Sequence, residues 1–343
     1  MRSSRRDILH GLAAGTATII AAPYVARAAA SKILKISHQF PGGTVDSGDF
    51  RDRLCRKFAA EVERVTYGEL RFDIYPGSSL MKTVAQFSAL RKGALDLSLY
   101  PLAYAGGEVP EVNIGLMPCL VTTYEQGLGW KRAPIGEALL AALEKKGVKL
   151  ITWIWQAGGI ASRTDPVIFP KDVKGRKIRG GSREMDLMLK EAGGIISSVP
   201  SNEIYPAMQT GSLDAAVTSS TSLISFRLEE ISKSVTAGRR GSFWFMLEPL
   251  LISLDVFNSL TVDQRSAVMA VAASLEGFAL ESAKQDDVEL ATVYEKAKAR
   301  VADFTPAALD QWREIAQQTA WKDFAARSAD CAHLLELAQA VTA

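Results

Sequence analysis

The chain has 343 residues, 48% of them hydrophobic and 23% charged, which is the balance of a folded globular protein with room for two domains. Lys and Arg number 40 against 38 Asp and Glu, and without the first 28 residues the balance is 36 to 37, which excludes the basic surplus of a nucleic-acid binder. Three cysteines, and two histidines beyond residue 28, exclude a disulfide scaffold, a CxxC metal site and a histidine-rich metal centre.

Residues 1–28 read as an export signal. Arg5-Arg6 precedes an apolar run from Gly11 to Val25, and Ala26-Arg27-Ala28 is a small-x-small cleavage site. The paired arginines point to the twin-arginine route. The run is too short and too poor in Leu and Phe for a membrane span. The mature chain is expected in the periplasm of a Gram-negative cell, with no later membrane-spanning segment.

Lys32 to Phe40 alternates apolar and polar residues, as a strand does. Phe50, Leu54, Phe58, Val62 and Val65 then line one face of a helix that Gly68 closes. A strand from Leu70 to Tyr75, a short helix to Gly93, a strand from Leu95 to Tyr100 and a helix from Ile135 to Gly147 follow, and Val148 to Trp155 reads as one buried strand. Cys119 lies in apolar surroundings and is expected to be an inert buried thiol. The order then restarts, with strands at Lys177–Gly180, Ile195–Val199 and Leu213–Val217 separated by helices. Gly93-Ala94-Leu95-Asp96 and Gly211-Ser212-Leu213-Asp214 occupy matching places in the two halves, 118 residues apart. This predicts two similar α/β lobes.

After a strand at Pro249–Leu254, Thr261-Val262-Asp263-Gln264 forms a capping box. No proline interrupts the chain from there to about Val301, which predicts one helix of some forty residues, about 60 Å long, spanning both lobes. Thr305-Pro306 starts a further helix through Trp312 and Phe324.

No nucleophile elbow, dinucleotide-binding glycine motif, P-loop or HExxH motif is present, which argues against an enzyme. The informative segment is Asp172-Val173-Lys174-Gly175-Arg176-Lys177-Ile178-Arg179, followed by Glu203-Ile204-Tyr205-Pro206-Ala207-Met208-Gln209-Thr210-Gly211-Ser212-Leu213-Asp214. This pair resembles the DctP-type solute-binding proteins of TRAP transporters, tripartite ATP-independent systems that take up organic acids. The resemblance implies an α/β, two-lobed periplasmic-binding-protein-like fold with the long helix spanning both lobes. Lobe I would hold residues 32–155 and 247–286, and lobe II residues 156–246 and 287–343. The implied partners are a small organic carboxylate and the TRAP membrane permease, with no cofactor, no metal and no nucleic acid.

It also implies that Arg179 grips the carboxylate, which suits the planar guanidinium at the carboxyl end of a strand. Thr218 and Ser219 fall where family members place a ligand contact after the second Gly-x-x-Asp turn. Gln39 falls at the end of the first strand with His38 beside it, Tyr100 and Tyr104 fall after Asp96, and Gln156 matches a glutamine that contacts keto acids in some members. Two departures count against particular ligands. The second arginine of sialic-acid binders would fall near Gly159, and the carboxylate that holds a cation in some keto-acid binders falls at Phe243. Phe243-Trp244-Phe245, with Trp153 and Trp155, reads either as core or as the lining for an aromatic or hydrophobic carboxylate. Two rival functions stay open from sequence: a cofactor-dependent periplasmic enzyme exported folded, and a ligand-sensing subunit of a signalling system.

Overall fold

A computed structural model describes residues 31–342; the export signal expected over residues 1–28 lies outside them. The strands are β1 (Lys32–Ser37), β2 (Leu70–Tyr75), β3 (Leu97–Leu99), β4 (Val148–Thr152), β5 (Trp155–Ser162), β6 (Lys177–Arg179), β7 (Ile195–Ile196), β8 (Ala215–Ser219), β9 (Ser234–Ala237), β10 (Phe245–Leu247), β11 (Leu250–Ser253) and β12 (Arg300–Asp303). The helices are α1 (Phe50–Val65), α2 (Gln86–Arg91), α3 (Tyr124–Trp130), α4 (Pro134–Glu144), α5 (Arg183–Glu191), α6 (Ile204–Gln209), α7 (Ser220–Ser225), α8 (Leu254–Asn258), α9 (Val262–Ser274), α10 (Glu276–Lys296), α11 (Pro306–Ala316), α12 (Lys322–Arg327) and α13 (Ala329–Gln339).

Two sheets result. The first runs β2-β1-β3-β11-β4, with β1 parallel to β2 and β3, and β11 antiparallel to both its neighbours. The second runs β12-β9-β5-β8-β6-β7, with β10 added to β5. The chain crosses between sheets at Trp153-Ile154 and at Glu248-Pro249. The two crossings lie side by side, because Glu248 N donates to the Ile154 carbonyl at 2.8 Å. The expected single strand Val148–Trp155 is therefore two strands, one in each sheet, and Gln156 lies inside the second of them.

The matching Gly-x-x-Asp turns have matching bonds. Gly93 and Gly211 take positive φ, 65° and 79°, where a side chain would strain the backbone. Asp96 Oδ2 then accepts from Lys35 N in β1 at 2.7 Å, and Asp214 Oδ2 from Lys177 N in β6 at 2.8 Å. Each aspartate thus fixes a strand of its own lobe, β1 for Asp96 and β6 for Asp214.

The long helix is bent rather than continuous. It breaks at Leu275, between α9 and α10. Thr152 Oγ1 donates to the Ala272 carbonyl at 3.3 Å, competing for the acceptor that the α-helical ladder would assign to Glu276 N, while Glu276 Oε1 accepts from Trp153 N at 3.0 Å. A foreign side chain in the ladder is a recognised cause of kinking. By length and composition Val262–Lys296 would pass for a membrane span, contrary to expectation. Its apolar residues Val268, Val271, Ala279, Ala283 and Leu290 are instead buried, with α9 packed on α1 and β4 and α10 on α7, β5 and β9. The C-terminal segment also departs from the expected division into lobes. Phe324, Cys331 and Leu334 join the core of the first sheet, and α13 packs on α4. All three cysteines are buried and unpaired, and burial pushes the Cys119 thiol up to about 12.

Asp286 and Asp287 of α10 tie neighbouring elements together. Asp286 Oδ2 accepts from Thr221 and Asp287 Oδ2 from Tyr124 OH, both at 2.6 Å. Burial raises both carboxyls from 3.8 to about 6. A carboxyl that holds its proton more tightly folded than unfolded makes stability fall as pH rises from about 4 through about 6. Asp287→Asn should flatten that slope in a profile of Tm against pH. Asp96→Ala and Asp214→Ala should each cost about 1 kcal/mol in urea unfolding, through loss of a charge-assisted bond to backbone.

Candidate functional site

Two arginines are almost fully buried at the boundary between the sheets, and their surroundings differ. Arg51, in the first turn of α1, is 0% exposed. Its Nε and Nη2 donate to the two oxygens of Asp49 at 2.9 and 2.7 Å, and Nη1 reaches Glu248 Oε2 and Ser222 Oγ, both at 3.1 Å. The guanidinium lies 3.6 Å from the centroid of the Phe40 ring. Burial opposes its charge, but Asp49 and Glu248 outweigh burial and hold its pKa above the usual arginine value. Two carboxylates thus neutralise Arg51.

Arg179, at the carboxyl end of β6, is 1% exposed and has no carboxylate partner among the described residues. Nε donates to the Val199 carbonyl at 3.0 Å, Nη1 to the Val217 carbonyl at 2.8 Å and Nη2 to Tyr104 OH at 2.7 Å. Three of its five N–H groups are so engaged, which leaves one on each terminal nitrogen, the pair that a carboxylate takes in two-point contact. Gly181, at φ 97°, lies against the guanidinium, and a Cβ there would come within 2.6 Å of Nη1. A cavity of about 300 Å³ is bordered by Tyr104 and Val199, which hydrogen-bond to Arg179, and by Gly181, but Arg179 itself is not among the residues that line it. Asp186 also borders it. It accepts from Gly180 N and Ser198 Oγ, and burial raises its carboxyl above the usual range against the opposing pull of Ser198 and of the nearby Arg179 charge.

The remaining expected residues divide into two groups. Gln39 and Tyr100 follow the carboxyl ends of the adjacent strands β1 and β3, each two residues beyond the register pair Ser37–Ser98. Both amide atoms of Gln39, and Tyr100 OH, are buried without a hydrogen-bond partner among the described residues. Tyr100 meets Tyr104 edge-on at 6.1 Å, which joins this pair to Arg179. Gln156 Nε2 donates to Glu248 Oε2, and Gln156 Oε1 is buried and unpartnered. Thr218 is 2% exposed and follows Val217, the Arg179 acceptor.

Other expected residues do different work. Ser219 caps α7 through Ser222 N and faces Arg51. His38 lies 3.2 Å from Asp52 and stacks on Phe40. Phe243 is wedged between Phe304 and Trp312, and Trp153 is buried in the core of the first sheet. Trp155 packs on Trp130 and Phe245 on Tyr124. The aromatic run that suggested an aromatic ligand is thus core packing.

The contacts across the boundary describe closed lobes. Tyr104 OH accepts from Ser201 N at 3.0 Å as well as from Arg179, and Asn113 Nδ2 donates to Glu184 at 2.8 Å. Arg51 and Glu248 escaped the sequence reading. Arg51 carries no motif, and its one signal is a cation at the start of an apolar helix, a place that ordinarily favours anions.

A clamp of two α/β lobes, with an unpaired guanidinium buried between them, is the architecture of a periplasmic-type solute receptor. The family model for bacterial extracellular solute-binding protein, family 7, matches residues 44–328, and the chain belongs to this DctP family. A solute-binding protein of Albidiferax ferrireducens is 59% identical over 338 residues, covering 98% of both chains. The C4-dicarboxylate-binding periplasmic protein of Rhodobacter capsulatus is 25% identical, covering 82% of this chain and 83% of its own. Among solved structures, a TRAP periplasmic solute-binding protein from Rhodoferax ferrireducens with bound malonate superposes with a TM-score of 0.88 at 62% identity, covering 89% of this chain and 97% of that one. A Bordetella pertussis extracytoplasmic solute receptor that binds pyroglutamic acid has the same fold, with a TM-score of 0.80 at 20% identity, covering 90% and 100%. The chain is thus an extracytoplasmic solute-binding protein of the TRAP type, which favours the receptor reading over the rival ones.

The contrast between the two arginines is testable. Arg51→Ala strands Asp49 and Glu248 without their counter-charge and should cost about 3–5 kcal/mol in urea unfolding. Arg179→Ala breaks no ion pair, removing only the longer-range attraction to Asp186, and should cost clearly less in the same assay.

Proposed function

We propose that the carboxylate of a small organic acid docks on Arg179, with Tyr104, Gln39, Tyr100, Gln156 and Thr218 around it, and that the closed form delivers it to a TRAP permease. The observation that carries this reading is a buried cation that makes no ion pair among the described residues and keeps one free N–H on each terminal nitrogen. Burying a charge is costly unless it is compensated, and a carboxylate of the right geometry compensates this one. The malonate bound to the Rhodoferax protein is an acid of this chemical class. Because Phe243 and Trp153 pack in the cores, the proposed ligand carries no aromatic requirement. Residues 1–28 supply the proposed export signal, of twin-arginine type.

Closure follows if the ligand binds the closed form better than the open one. Arg179 and Thr218 belong to the second sheet, and Tyr104, Gln39 and Tyr100 to the first lobe, so an acid held by both sets is bound fully only when the lobes meet. The hinge is the pair of crossings at Trp153-Ile154 and Glu248-Pro249 together with the bend at Leu275.

A thermal-shift screen of the mature protein against small organic acids should raise Tm for the true ligand, since binding stabilises the folded state. Arg179→Ala should weaken calorimetric binding of that acid by roughly two to three orders of magnitude while the protein stays folded. Undiminished affinity in the variant would remove Arg179 from the site.

A further inference from the structure

Arg179 is held by backbone that must itself be held. The guanidinium lies against the turn at Gly180-Gly181, where a Cβ on Gly181 would come within 2.6 Å of Nη1. Its Nε donates to the Val199 carbonyl at 3.0 Å. These are two different loops, one entering α5 and one leaving β7. The sheet does not fix the second of them. β7 pairs with β6 at Ile195 and Ile196, and the last bond along that edge, from Ser197 N to the Ile178 carbonyl at 3.1 Å, stops short of Val199.

Asp186 joins the two loops. From the first turn of α5 its Oδ1 accepts from Gly180 N at 3.1 Å and its Oδ2 from Ser198 Oγ at 2.6 Å. Gly180 fits closely there, since a Cβ on it would stand 2.6 Å from Oδ1. An acid in the first turn of a helix ordinarily serves the free N–H groups of that turn. Here Ser182 Oγ already accepts from Met185 N, and Asp186 is turned to the loops instead. The braced loop continues to Ser201, whose N–H donates to Tyr104 OH, the acceptor for Arg179 Nη2. One carboxyl thus steadies the turn beside the guanidinium and the loop that engages Nε directly and Nη2 through Tyr104. No ion pair joins Asp186 to Arg179 among the described residues, and the two interact only through charge at longer range.

We infer that Asp186 is a positioning residue for ligand binding: by bracing Gly180 and Ser198 it holds the Arg179 guanidinium in the plane from which its two free N–H groups meet a carboxylate, without itself contacting the acid. The inference rests on the carboxylate-receptor reading. The brace works by hydrogen bonding and not by charge, because a charged Asp186 competes with the bound acid for the same guanidinium. Asp186→Asn therefore keeps it: the amide oxygen accepts from Gly180 N, and the amide nitrogen donates to Ser198 Oγ. The cavity of about 300 Å³ borders Asp186 and Ser198, so truncating either side chain opens into existing space and not into a core.

Two measurements on the mature protein test this. In side-chain NMR, the Arg179 Nε–H is assigned by its loss in Arg179→Lys. Its exchange with solvent should be at least about tenfold faster in Asp186→Ala and close to the wild-type rate in Asp186→Asn. In calorimetry with malonate, Asp186→Ala should weaken binding by about tenfold, and Asp186→Asn should keep it within about twofold of wild type or tighten it. In an Arg179→Ala background, Asp186→Ala should change malonate affinity by less than about twofold, because the brace then has no guanidinium to hold. If Asp186→Ala does not fold, Ser198→Ala removes one arm of the brace and should move both readouts in the same direction by about threefold. Equal losses in Asp186→Ala and Asp186→Asn, tighter binding in both, or an unchanged Nε–H in Asp186→Ala overturns the inference and leaves the receptor reading standing. Failure of malonate to bind, or an affinity unchanged in Arg179→Ala, tells against the receptor reading instead, and the Nε–H exchange still decides the brace.

Discussion

The two buried guanidiniums set the terms for the rest of the molecule. Both have left water, and a protein tolerates that only when the charge is matched. At Arg51 the match is internal, through Asp49 and Glu248, and the result ties α1 to the crossing segment and to α7. At Arg179 the protein supplies carbonyl dipoles, a phenol and the more distant Asp186 carboxyl, but no ion pair among the described residues. The first arrangement is structural cement. The second leaves a demand that, in the proposed reading, a small anion meets.

The architecture serves this difference. Each lobe fixes a strand with an aspartate after a left-handed glycine, so Arg179 is carried on a strand held at its base and Gln39 follows the end of another. The crossings run next to each other, and the bend in the long helix falls beside them because Thr152 and Glu276 bind it there. Rigid lobes and a narrow hinge zone are what a hinge-bending receptor requires.

Much of this was legible in the sequence, for local reasons. The alternation at β1 and β2, the glycine turns and the Thr261–Gln264 capping box depend on near neighbours, and they formed as expected. Arg179 was legible as a candidate through its motif, and the fold buries it at the boundary between the sheets. What could not be read depends on distant partners. Nothing near Ala272 announces that Thr152 will take its carbonyl, so one helix was expected where there are two. Phe243 and Trp153 carry the same composition whether they line a cleft or fill a core, and only packing on Phe304, Trp312 and the first sheet decides it. Arg51 meets Glu248 across 197 residues, a pairing that no sequence window contains.

The buried thiols carry a separate consequence. Cys55, Cys119 and Cys331 are all unpaired, and burial raises the pKa of each, which keeps them in the unreactive thiol form. Nothing in the fold waits on an oxidant. The chain can therefore reach its native packing in a reducing cytosol and keep it in an oxidising space without any change in covalent structure.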